Sequence, residues 1–134
     1  MKASDIIGEL KTFYRDGVAY LALDRHLTEQ DVQRWSIVCG WSRSQLFDEI
    51  AKCLALGFNT SALSFEFCDM VVNDLFGLVT STSGPIPQLF WEVYLAFDEG
   101  EYYHGNNRDE DPVEAYTRPM IARIVEVIGT SQFS

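Results

Sequence analysis

Basic residues and histidine are scarce in this chain. Against 20 Asp and Glu stand only 10 Lys and Arg and 2 His, a formal charge of −10. Binding to a nucleic-acid backbone needs Lys and Arg to displace counterions, so that class is excluded. Attraction to an anionic membrane surface is excluded on the same ground. Two histidines, His26 and His104, leave too few nitrogen ligands for a zinc or di-iron centre. Cysteine is sparse as well: Cys39, Cys53 and Cys68 are odd in number and form no Cys-x-x-Cys pair. Each falls within a helical apolar pattern, where a free, buried thiol in a reducing compartment is expected. Long apolar runs are missing too. Glu9 and Lys11 interrupt the first hydrophobic stretch before a signal-type segment develops, and nothing approaches the roughly 20 residues of a membrane span. The expected location is cytoplasmic. There is no Gly-x-Ser-x-Gly turn, phosphate loop or dinucleotide fingerprint. No cofactor, no metal and no catalytic residue is therefore assigned.

What is present is hydrophobic and aromatic residues at helical spacing. The chain has 134 residues, 47% hydrophobic and 13% aromatic. That length suits one domain, residues 1–134, with roughly two-thirds of its unfolded surface buried. The expected fold is all-α, a compact bundle of about six helices around a central hydrophobic helix near residues 86–103. Its centre, Leu89-Phe90-Trp91-Glu92-Val93-Tyr94-Leu95-Ala96-Phe97, is apolar nearly all round. Only Gln88, Glu92, Ala96 and Glu99 make a narrow small-or-polar line.

Start and stop signals place the other helices. Ser4 is a candidate cap for a first helix with the stripe Ile6, Ile7, Leu10, Phe13 and Tyr14, ending at Gly17. Thr28 with Asp31 is close to a capping box, followed by Val32, Trp35, Val38 and Cys39, then Gly40. Ser42 opens a helix with Leu46, Phe47, Ile50, Cys53 and Leu54, and Gly57-Phe58 reads as its C-terminal cap. Ser64 opens another, its core face running from Cys68 to Val79. Asp111-Pro112 begins the last helix, which Pro119 should kink or divide near Thr117 and Gly129 should stop.

The most distinctive polar feature lies between residues 86 and 117. It holds Glu92, Asp98, Glu99, Glu101, Asp109, Glu110, Asp111 and Glu114, with Arg108 as the only basic residue, and so carries −7 of the chain's −10. Tyr102 and Tyr103 sit among the carboxylates. Tyrosine beside acid is the composition of a surface that can anchor a partner, although charge runs also occur as merely solvated faces. Glu101-x-x-His104 has the spacing of a metal-binding pair, but the sequence supplies it once where di-iron bundles need it twice.

These features lead to one principal expectation: a small acidic domain that binds a basic protein partner. In composition and size the chain is similar to bacterial immunity proteins that neutralise basic nuclease toxins, with carboxylates standing in for phosphates. No motif of that class is matched residue by residue. One alternative is an enzyme or small-ligand domain with a helical cleft lined by Asp69, Asn73, Glu92, Asp98 and His104. Another is a homo-oligomeric module that covers Trp35, Trp41 and Trp91 at a subunit contact.

Overall fold

Hydrogen bonds from short polar side chains fix where most of the helices begin. The computed structural model describes residues 1–14, 27–105 and 108–131. The sequence readings at Gly17 and His26 lie outside them. Helix α1 spans Ala3–Phe13. Its cap position is Lys2 rather than the expected Ser4, because the Asp5 carboxylate accepts the Lys2 backbone N–H at 2.8 Å and closes the first turn. Helix α2 spans Glu29–Cys39. Here Asp31 accepts the backbone N–H of Thr28 at 3.0 Å, as the sequence suggests, and Gly40 ends the helix at φ 72°. Helices α3 (Arg43–Asn59) and α4 (Phe65–Val79) start at Ser42 and Ser64. Each hydroxyl accepts a backbone N–H three residues on, at 3.1 Å.

Helix α5 spans Gln88–Glu99, shorter at both ends than the expected 86–103. Pro85 and Pro87 hold the approach in extended form. No residue of its own caps it; Asp48, on α3, accepts the Phe90 N–H at 3.0 Å. At the other end the Gly100 N–H folds back onto the Phe97 carbonyl at 3.1 Å.

The last helical segment divides where the sequence indicates. A π-helical turn, Val113–Thr117, leads into α6, Arg118–Ser131. The Arg118 N–H reaches back to the Val113 carbonyl, one residue beyond the α-helical partner. Pro119 cannot donate, and its ring would press on the carbonyl of residue 115 in a regular α-helix. The wider turn just before it relieves both problems. Gly129 does not stop α6, which continues to Ser131.

The architecture is all-α, with six α-helices and no strand among the described residues. Helix α5 is packed on by α3, α4, the π turn and α6. Helix α3 shares the centre, touching α1, α2, α4, α5 and α6. The core between them is aromatic: Phe47 meets Phe90 edge-on at 5.7 Å, and Phe58 meets Phe97 at 5.3 Å. Ala96, read as part of the small-or-polar line, is fully buried. Buried polar tips find partners, as the Tyr14 hydroxyl donates to Asp74 and the Trp35 indole N–H to Glu9.

Two other readings change. Gly57 does not end α3; it lies inside the helix, and the Leu63 side chain fills the space a Cβ would take. Val38 is 54% exposed beside Ile37 at 80%, because α2 enters the core through Val32 and Trp35 alone among its apolar residues that are fully covered.

Arg43 ties three helices together. It grips Glu29 of α2 at 2.7 and 3.2 Å, donates to the Leu78 carbonyl near the end of α4 at 2.7 Å, and lies over the Phe47 ring. A cation at a helix C-terminus also meets the negative end of the macrodipole. Among the described residues no helix is long and apolar enough to cross a membrane.

Candidate functional site

The polar residues singled out in the sequence gather mainly at the C-terminal end of α5. That end is flanked by α4 and by the π turn. Asp69 and Asn73 stand four residues apart on α4, hence on one face. Asn73 Nδ2 donates to the Asp69 carbonyl at 2.7 Å and to the Glu101 carboxylate at 2.9 Å. Asp69 and Glu101 are themselves hydrogen-bonded, and Asp98 adds a third negative group nearby. Burial, followed by the bond to Glu101 and its charge, pushes the Asp69 carboxyl up to about 8. Asp98 is raised as well, first by desolvation and then by Glu101 and Glu99. Among the described residues no Lys or Arg pairs with Asp69, Asp98 or Glu101.

A second group adjoins it. His104 is stacked between Tyr102, at 4.6 Å, and Tyr116 of the π turn, at 3.8 Å. Its Nε2 lies 2.9 Å from the Glu99 carbonyl and 3.0 Å from the Glu99 carboxylate. Two acceptors at one nitrogen place the ring hydrogen there. The Tyr102 hydroxyl donates to the same carboxylate at 3.3 Å, and the Tyr116 hydroxyl bonds Glu110. Tyr102 and Tyr103 are nonetheless 48% and 45% exposed, and Arg108 lies 5.0 Å over the Tyr103 ring.

The remaining acids have more local work. Asp111 accepts the Val113 N–H at 3.0 Å and caps the turn that follows. Glu114 pairs with Arg118 at 2.8 Å, and Asp109 is exposed. Glu92 does not join the cluster. It faces away, onto a cleft of about 530 Å³ between α3, α5 and α6 that also takes in Glu49, Lys52, Leu89, Arg123 and Ile124.

The expected five-residue catalytic cleft is therefore only partly assembled. Asp69, Asn73 and Asp98 come together, whereas Glu92 lies on another face and His104 belongs to the tyrosine stack. Glu101 and His104 do not share a helix face, because α5 ends before both. Among the described residues no group of His, Cys, Asp and Glu could hold a metal ion. Of the thiols, Cys68 is buried and pushed up to about 12 by desolvation, which makes it unreactive. The residue that sequence reading missed is Tyr116; its partner His104 is twelve positions away in an intervening loop, so no local spacing announces the stack.

No protein-family model, no curated protein and no solved structure matches the chain.

Proposed function

We propose that this chain is a protein-binding domain, and that the acidic, tyrosine-bearing end of α5 receives a basic segment of its partner. The observation that carries the reading is the exposure of Tyr102 and Tyr103 beside carboxylates that no Lys or Arg of the described residues neutralises. Asp98, Glu99 and Glu101 supply the field, and the two phenol rings supply apolar area with a hydrogen-bonding tip. Asp109, Glu110 and Asp111 extend the same sign along the adjoining loop, while Glu114 is paired with Arg118 and Glu92 is left out of the surface. A basic nuclease toxin held by an immunity-type protein in the cytoplasm is the kind of partner that fits.

The test is affinity capture from the source cells at low and moderate salt, with the wild type beside a Tyr102→Ser/Tyr103→Ser variant of unchanged circular dichroism. A stoichiometric basic partner is expected, lost as salt rises. The variant should bind it at least about 30-fold more weakly, the size of effect typical of interface anchors. A partner retained equally by the variant, or no partner at either salt, overturns the reading.

The raised Asp69 carboxyl favours a second reading, acid–base chemistry at the Asp69–Asn73–Glu101 group. Asn73 and Glu101 are exposed, however, which suits a contact surface better than a water-excluding site. The oligomer reading keeps only Ile37 and Val38 as apolar contact residues on α2, since Trp35 is fully buried in the core.

A further inference from the structure

Glu101 is the first residue past Gly100, and it opens the short stretch that carries Tyr102 and Tyr103. Two fixed points bound that stretch. Gly100 is buried against Thr117 and Phe65, and His104 is held by Glu99 and by the Tyr116 ring. Between them, the Glu101 side chain fastens the chain to α4 through Asn73 and Asp69. Two carboxyl groups bond to each other only while they share a proton. Once it leaves, two like charges face each other at contact distance.

We propose that the Asp69–Glu101 pair is a proton-dependent latch: protonated, it holds residues 101–103 against α4, and deprotonated, it lets them swing outward with Tyr102 and Tyr103.

Among the described residues no cation offsets the lost proton. From α5, Asp98 and the Tyr94 phenol face the pair, with Glu99 next to Asp98. From α4 come only the Asn73 amide and the buried Cys68 thiol beside Asp69. No cation of the described residues pairs with any of these carboxylates except through the imidazole of His104 on Glu99. Asn73 has two N–H groups for three acceptor contacts, so it can bridge the pair but cannot neutralise it.

The sign of the pH effect follows. The ordinary Asp value is 3.8 and the folded Asp69 titrates near 8, so the fold binds a proton that the unfolded chain has lost across that window. The stability that the shared proton contributes is fully present below about pH 4, and both it and the latch are lost as pH rises through about 8.

Nuclear magnetic resonance on the full chain tests this. In the wild type, the Asn73 side-chain amide and the backbone amides of residues 101–103 are expected to shift together with one midpoint near pH 8. Order parameters of those three residues should fall from the rigid range, about 0.85, to about 0.6 or below. Asp69→Asn keeps a neutral donor in the same place and should hold them rigid to about pH 9. Order parameters that stay high in the wild type, or fall alike in Asp69→Asn, overturn the latch. What the latch would control rests on the function proposed above, and the two are separable. If the order parameters fall at alkaline pH while affinity for the captured partner stays constant, the latch stands and Tyr102 and Tyr103 are rejected as its contact residues.

Discussion

Phe97→Ala is expected to remove about 3–5 kcal/mol of folding stability, the usual cost of emptying a large aromatic site in a core that cannot fully collapse. Phe97 is fully buried, and the Phe58 and Phe65 rings pack on it at 5.3 and 6.0 Å. Behind Phe58 lies the Arg118 guanidinium, 4.4 Å from that ring. The end of α3 and the start of α4 therefore meet on one α5 side chain, with the start of α6 one layer behind Phe58. None can move into the vacancy without leaving another partner. Domains of this size are stable by about 5–15 kcal/mol, so the loss would be a large fraction of the total. Urea denaturation measures it directly. A loss under about 1.5 kcal/mol would mean that the junction closes over the gap.

Gly100→Ala should cost about 2–4 kcal/mol, by a different route. The backbone there has φ −83°, which any residue adopts, so conformation is not the reason for glycine. Space is. A methyl group would overlap the Thr117 hydroxyl and come within 2.9 Å of the Phe65 ring. Thr117 is not free to turn aside, because its hydroxyl donates to the Ala96 carbonyl at 2.7 Å in a fully buried position. That carbonyl is one of the last four of α5, which have no intrahelical donor. Thr117→Ala removes the hydroxyl and leaves its place empty, and should cost about 2–4 kcal/mol alone. Combining the two substitutions should cost clearly less than their sum, since the overlap disappears with the hydroxyl. A double-mutant cycle by denaturation decides it; strict additivity would show that Gly100 and Thr117 do not compete for that space.

These two sites also show which parts of the fold were legible in the sequence. The starts of α2, α3 and α4 are written locally, in a Thr or Ser whose hydrogen-bond partner is three residues on, and they are where the sequence puts them. The division before Pro119 is local too, since one missing N–H causes it. Helix ends set by distant side chains are another matter. Gly57 looks like a stop signal and is instead a socket for Leu63; α5 ends four residues sooner than periodicity suggests, at a Gly100 packed against Thr117 and Phe65. The acidic, tyrosine-bearing stretch is visible because it is contiguous. Its subdivision is not, because Glu92 and Asp98 on one helix face different neighbours, and Asp69 joins Glu101 only through the packing of α4 on α5.

The Asp48 bond to Phe90 has a consequence for the order in which the chain assembles. The first turn of α5 is completed by a residue 42 positions upstream, not by its own flank. A peptide of α5 alone lacks that acceptor and would unravel from its N-terminal end. In the whole chain, the start of the helix becomes defined only when α3 arrives beside it, so the closing of the intervening loop and the setting of the α5 boundary are one event. Helix formation and docking at this seam cannot be separated in time.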